Sequence, residues 1–306
     1  VRTSPNGVIW SDRVTDFTGT PQCIAWSPSI PKFVIPEVGA AFANTSANGT
    51  AWASIAFPNR NVSAICWSTT LAKFVGLGED GGTYYVVTSS DGTTWAEATT
   101  TITGSSSPTG IAWSATAGLL VATIGGNDGG IWTSPTGTTW TERAVGIDRD
   151  GQNELPVSLT GVTWSDYFAK FFVSCAGDSV GGIYAGGHTV VSSPDGITWT
   201  DITPTTPLDG QAVIASDDVG LVTVLTSDPT DGDSVAMFST DGETWENVSL
   251  TNQTIHFYSA AYAPALGRLV ALSLSATADS VETYDVAGSN WRVGTIRLGV
   301  VEGGRR

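Results

Sequence analysis

Carboxylates outnumber the cationic and imidazole side chains in this sequence: 29 Asp and Glu stand against 13 Lys and Arg and two His. Two of them facing each other across a cleft would supply the acid and base of a glycoside hydrolase, but spacing alone does not say which pair converges. Asp148, Asp150, Gln152 and Glu154 alternate along one loop, and Asp228, Asp231 and Asp233 cluster in another. Either set can gather oxygen ligands around calcium, although neither matches the complete EF-hand loop. No motif requires a cofactor, and calcium is the one candidate. His188 and His256 fall in separate loops with no metal-ligand spacing and no Ser-His-Asp arrangement. Cys23, Cys66 and Cys175 are odd in number and sit in apolar strand patterns, which predicts buried free thiols rather than a disulfide framework or a zinc site.

A second chemistry is suggested by aromatics that share loops with carboxylates and amides. Tyr84, Tyr85, Trp132, Tyr184, His188, His256 and Tyr258 lie in or beside such segments. Rings stack on the apolar faces of sugars while polar neighbours fix the hydroxyls, so these seven residues are the candidate ligand-binding set. The bland alternative for each is packing between sheets.

The elements that must position these residues are set by a repeat. A seven-residue turn recurs as SPNGVIW (4–10), SANGTAW (46–52), SSDGTTW (89–95), SPTGTTW (134–140), SPDGITW (193–199) and STDGETW (239–245), with a decayed copy, DVAGSNW, at 285–291. Asp-Gly or Asn-Gly between β-rich flanks predicts a two-residue hairpin turn, and the Trp three residues after the Gly predicts a packing anchor. Before each turn from the second copy onward comes an inner strand such as CIAWS (23–27), AICWS (64–68) or GIAWS (110–114). An apolar run such as KFVI (32–35), KFVGLG (73–78) or RLVALS (268–273) follows it.

Each unit therefore reads as four antiparallel strands, and four strands at a period of about 40 to 50 residues is a propeller blade. The expected fold is an all-β propeller forming one domain over residues 1–306. It would have seven four-stranded blades, with six as the alternative. The first hairpin, 1–14, lacks two inner strands, and the segment 294–301 is expected to supply at least one of them. The turns and the Trp-Ser connections fall at one end of such a propeller. The longer, more varied connections that carry the candidate residues fall at the other.

The turns resemble the Asp-box, or bacterial neuraminidase repeat, of the sialidase-like propellers. Ser89, Asp91, Gly92 and Trp95 fit its pattern, as do Ser193, Asp195, Gly196 and Trp199, and Ser239, Asp241, Gly242 and Trp245. This chain departs from it by setting Asp directly before Gly and by carrying Asn6, Asn48, Thr136 or Ala287 in place of Asp. The resemblance implies that these twelve residues are structural. It also implies what a sialidase would need: clustered arginines, a Tyr-Glu pair and an acid. The family's Arg-Ile-Pro segment is absent, and Arg2, Arg13, Arg60, Arg143, Arg149, Arg268, Arg292 and Arg297 are scattered. The member expected is therefore non-catalytic.

A formal net charge of −16 repels phosphate backbones and anionic membranes, so nucleic acid is not an expected partner. The sequence has no apolar run of the roughly 20 residues that span a bilayer, so membrane insertion is not expected. The composition, rich in Ser, Thr, Gly and Asn with Lys only at 32, 73 and 170, resembles propellers of bacterial surface proteins and of phage tail or head decoration. The expectation is a non-enzymatic module on an extracellular or virion surface. Its partner would be a cell-surface glycan or protein, or neighbouring proteins of a larger assembly. A glycoside hydrolase and a purely structural component are the alternatives.

Overall fold

The computed structural model describes all residues except 8, 105, 127–129, 144–157, 177–188, 205–207, 228–233, 250–256, 274–280, 286–291 and 297–306. Its architecture is a β-propeller of successive antiparallel sheets. Sheet II shows the rule. Val62–Ser68, Lys73–Asp80, Thr83–Ser89 and Ala96–Thr99 pair in chain order, each antiparallel to the next. The second strand carries Phe74, Val75 and Leu77, all fully buried, because sheets stand against both of its faces and an alternating pattern would bury polar groups there. The fourth strand, Ala-Glu-Ala-Thr, is exposed throughout, so it forms the outer rim.

Sheets III (Pro108–Ser114 to Thr141–Arg143), IV (Ser158–Ser165 to Thr200–Asp201), V (Asp209–Ser216 to Glu246–Ser249) and VI (Phe257–Ala263 to Arg292–Ile296) repeat this order. Sheet I, from Thr20–Pro21 to Ala53–Ala56, differs only in that its inner strand is split, Ala25–Ser27 forming the second half. The core is a set of seams between consecutive sheets. Ala25, Val34 and Ala43 meet Ile65, Trp67 and Phe74 between I and II, and Leu225 and Phe238 meet Leu269 and Ala271 between V and VI.

The first hairpin, β1 (Arg2–Thr3) with β2 (Ser11–Asp12), forms a separate two-stranded sheet. Arg268 Nη1 of sheet VI donates to the Asn6 carbonyl at 2.8 Å, and Thr3 lies against Gly49 of sheet I, so the hairpin touches both ends of the series. One expectation is corrected here. Gly294, Thr295 and Ile296 do not pair with the first hairpin; they continue the outer strand of sheet VI, opposite Val281 to Thr283. The reason is that the strand after each turn folds back on the one before it, and this segment follows the last copy of the turn motif in the sequence. Residues 297–301 lie outside the described set.

The Trp-Ser markers close the inner strands as expected. Ser27, Ser68, Ser114 and Ser165 are fully buried, and each hydroxyl accepts the backbone N–H three residues on, which turns the chain into the second strand. The three cysteines are free. Burial pushes the Cys23 and Cys66 thiols up to about 12 and that of Cys175 higher still. A buried carboxylate, Glu37, accepts from the backbone N–H groups of Thr18 and Gly19 at 2.7 and 2.6 Å and from Asn44 Nδ2 at 2.7 Å. It is thereby fully used in fixing the chain's entry into sheet I.

Candidate functional site

The seven-residue turns stand at one end of the propeller. Ser89 Oγ accepts from Gly92 N at 2.8 Å, and Asp91 Oδ1 accepts from Thr93 N and Thr94 N, both at 2.7 Å. Ser193 with Asp195 and Ser239 with Asp241 repeat this arrangement. The Thr94 N–H is the largest influence holding the Asp91 carboxyl well below the usual carboxylate range. Thr198 N–H does the same for Asp195 and the Thr244 hydroxyl for Asp241. These are internal bonds, so the carboxylates brace a turn.

The expected two-residue turn is corrected. The strands stop at Ser89 and resume at Ala96, and of the central pair only Gly92 has positive φ, +67°. The side-chain bonds to Ser and Asp hold a wider loop that carries Trp95 inward against Phe57 and Phe74, at ring-centroid distances of 4.7 and 6.0 Å. Trp140 and Trp199 are buried in the next two seams, and Trp245 packs against the seam after those.

At the opposite end the inner strands share an irregularity. In sheet II Val62 pairs with Gly78 and Ala64 with Leu77, leaving Ser63 as an extra residue. The same bulge sets out Thr109, Thr160, Gln211 and Tyr258 in sheets III to VI. In sheet I the split inner strand has Gln22 at the corresponding place, five residues before Ser27. A β-bulge re-aims the residue it sets out, and bulges are frequent beside functional sites.

Four of these residues, Gln22, Ser63, Thr109 and Thr160, line one cavity of about 350 Å³ together with Val38, Asn61, Ser107 and Pro108. The described lining is thus mainly hydroxyls and amides. Ser63 Oγ donates to the Pro108 carbonyl at 2.6 Å and Thr160 Oγ1 to the Gly210 carbonyl at 2.7 Å, each clasping the next sheet. Thr109 Oγ1 turns to Thr123 of its own sheet. A hydroxyl has one donor and two acceptor lone pairs. With the protons spent internally, the oxygens are left as acceptors for a ligand rich in donors.

The expected ligand-binding residues divide. Tyr84 and Trp132 are core residues instead of ligand-facing ones. They are buried between sheets II and III, and the Tyr84 hydroxyl donates to the Ser106 carbonyl. The alternation of a strand buried on both faces turns these rings inward. Tyr85, the next residue, is half-buried, with the Arg60 guanidinium 4.3 Å over its ring. Arg60 is held there by a two-pronged pair with Glu97, at 3.1 Å for each bond. Tyr258 occupies the bulge position of sheet VI. Tyr184, His188 and His256 lie outside the described residues, as do Asp148, Asp150, Glu154, Asp228, Asp231 and Asp233. Among the described residues no group of three or more His, Cys, Asp or Glu is placed to hold a metal ion. Also among them, no helix is long and apolar enough to cross a membrane.

Ser63, Thr109, Thr160 and Gln22 were not singled out from the sequence. The signal was there: each stands five residues before the serine that ends its inner strand. Periodicity does not reveal these positions, because a bulge shifts pairing without changing the hydrophobic pattern.

No family model matches the sequence, and no curated protein matches it. Solved structures do resemble it. A streptogramin B lyase has TM-score 0.68 at 12% identity, covering 93% of this chain and 85% of that one. The GH74 enzyme of Niastella koreensis has TM-score 0.67 at 16% identity, and this chain, matched over 91% of its length, spans 45% of that protein. YCF48 from Cyanidioschyzon merolae has TM-score 0.60 at 13% identity over 92% of this chain and 88% of that one. These likenesses establish the class of protein, a β-propeller, and at such identities they establish the fold alone.

Proposed function

We propose that this chain is a non-enzymatic binding module, displayed on an extracellular or virion surface, that recognises a neutral glycan at the mouth formed by the bulged inner strands. The observation that carries this reading is the composition of that mouth: Gln22, Asn61, Ser63, Ser107, Thr109 and Thr160 offer uncharged hydrogen-bonding groups around one cavity. Sugars present many hydroxyl donors, and such a ring answers them without the desolvation cost of a charge. Tyr85, steadied by Arg60, stands at the same end of sheet II as a stacking surface. The Ser-x-Asp-Gly turns serve as Asp-box braces at the other end, where they keep the sheets in register.

A glycan array that includes bacterial surface polysaccharides tests this, run with calcium, with a chelator, and with assay of cleavage products. Saturable binding without cleavage is the expected result. Loss of binding on chelation would bring the acidic loops at 144–157 and 228–233 into the site. Cleavage would make the chain an enzyme and overturn the reading. Absence of binding to every glycan would leave the clasps of Ser63 and Thr160 as the ring's whole purpose, and the propeller as an assembly component.

A further inference from the structure

Two copies of the turn carry Asn directly before Gly, Asn6-Gly7 and Asn48-Gly49, where others carry Asp91, Asp195 and Asp241. An Asn side chain followed by Gly is open to succinimide formation, because a residue without Cβ leaves its backbone nitrogen room to reach the Asn carboxamide carbon. The glycan mouth uses neither residue. Their surroundings differ in the bond that holds that nitrogen.

In the turn of sheet I the nitrogen is tied. Gly49 N donates to Ser46 Oγ at 2.9 Å, and Gly92, Gly137, Gly196 and Gly242 make the same bond to their own serines at 2.8 Å. Gly7 is the exception. Ser4 Oγ keeps its bonds to Asn6, at 3.2 and 3.3 Å, but among the described residues the Gly7 N–H makes no hydrogen bond.

The rest of the first turn favours reaction at Asn6. Ser4 Oγ and Ile9 N, the latter at 2.9 Å, donate to Asn6 Oδ1, the oxygen on which negative charge gathers when the carboxamide carbon is attacked. Arg268 Nη1 donates to the Asn6 main-chain carbonyl at 2.8 Å. That carbonyl is conjugated with the Gly7 nitrogen, so a cation on it stabilises the anion left when the N–H proton departs. Lys32 treats the Asp91 carbonyl likewise, but Gly92 N is tied to Ser89, and a carboxylate is a poor electrophile. Among the described residues no cation reaches the Asn48 carbonyl.

We propose that Asn6 is a site of spontaneous succinimide formation in the folded protein, with Arg268 as the activating group, and that Asn48 is protected by its turn. Hydroxide from solvent takes the Gly7 N–H proton, and the nitrogen forms a bond to Cγ of Asn6. The Cγ–Nδ2 bond breaks, and Nδ2 leaves as ammonia after taking a proton from water. Water then opens the ring. Cleavage at Cγ gives Asp, the residue at this position in the turns of Asp91, Asp195 and Asp241, and cleavage at the main-chain carbonyl gives isoaspartate. Either product places a new carboxylate in the turn that Arg268 grips.

The test is incubation of the full chain at mildly alkaline pH, with Asp and isoaspartate followed at both sites by peptide mapping, beside the same chain in denaturant. Each variant is held well below its own Tm, so the rate reports the folded turn. In the folded chain Asn6 should convert about tenfold faster than Asn48, whose turn must first give up the Ser46 bond and has no cation to help. In denaturant the two rates should converge. Ser46→Ala should quicken Asn48 and leave Asn6 unchanged. Arg268→Ala should slow Asn6 even though it loosens the hairpin, and Arg268→Lys should restore most of the rate. The proposal is overturned if Asn48 keeps pace with Asn6 in the folded chain, or if their difference persists in denaturant. It is also overturned if Arg268→Ala leaves conversion unchanged or quickens it, because mobility of the hairpin would then set the rate.

Discussion

Arg268 Nη1 reaches the backbone carbonyl of Asn6 at 2.8 Å across 262 residues of sequence. Two other sheets make the same kind of link: Lys32 Nζ donates to the Asp91 carbonyl at 2.8 Å, and Lys170 Nζ pairs with Glu243 at 3.2 Å. In each, a cation opening one sheet's second strand grips the turn of the next. At Arg268 the next turn is the first in the chain. A charged donor to a carbonyl contributes about 1 to 3 kcal/mol. Arg268→Ala should therefore lower Tm by several degrees and expose residues 1–14 to earlier proteolysis, while Arg268→Lys should retain most of the effect. Unchanged cleavage in the alanine variant would mean the hairpin is held elsewhere.

Asp91, Asp195 and Asp241 have carboxyls held below the ordinary range by N–H and O–H donors of their own turns. A depressed folded-state pKa gives stability that is present above the unfolded value, near 3.9, and lost as pH falls toward the folded one. The stability contributed by these turns should thus be flat across neutral pH and decline below about pH 4. Asn48 makes the equivalent bonds to Thr50 N and Ala51 N with a group that does not titrate in this range. The triple change of Asp91, Asp195 and Asp241 to Asn should leave Tm at pH 7 close to that of the parent and make the acid decline shallower. The effect is modest because the carboxylates are exposed and screened. An identical acid profile in the triple variant would remove these turns as its source.

Gly92 meets two demands at once. Its φ is +67°, and a Cβ there would lie 2.7 Å from Lys32 Cδ and 3.0 Å from the Phe74 ring. Gly118 has φ +62° with open space around the same position. Gly118→Ala should cost only the backbone penalty, about 1 kcal/mol, whereas Gly92→Ala adds overpacking of about 1 to 3 kcal/mol. Denaturant midpoints of the two variants give the comparison. Equal losses would show that the seam beside Gly92 yields freely.

The propeller was legible because its markers are local and repeated. The turn from Ser89 to Trp95 and the strand ending in Trp67-Ser68 each announce a strand boundary, and regular recurrence turns boundaries into an architecture. Tyr84 and Tyr85 show where that reading ends. Adjacent aromatics in a strand point to opposite faces, so only one can face a ligand, and which one depends on the neighbouring sheet. The wider turn was hidden for a related reason: Asp-Gly has the chemistry of a two-residue hairpin, but the hydroxyl of Ser89 and the carboxylate of Asp91 offer the backbone bonds that favour a longer loop. Of the segment 294–301 expected to complete the first hairpin, residues 294–296 instead continue the outer strand of sheet VI, because the strand after a turn pairs with the one before it.

Gln22 and Thr160 separate a binding role of the bulge ring from a purely structural one. Thr160 Oγ1 clasps the Gly210 carbonyl at 2.7 Å, so Thr160→Val leaves that carbonyl short of a partner and should cost about 1 to 3 kcal/mol. Gln22 is exposed at the cavity, so Gln22→Ala should change stability by no more than about 0.5 kcal/mol. If the ring contacts a glycan, Gln22→Ala weakens binding while Tm stays fixed, and Thr160→Val lowers both. If the ring only ties sheets together, Thr160→Val lowers Tm, and a ligand bound elsewhere keeps its affinity for the Gln22 variant. Measuring Tm and glycan affinity on the same two proteins therefore divides the roles, since stability loss alone moves the first reading and contact loss alone moves the second.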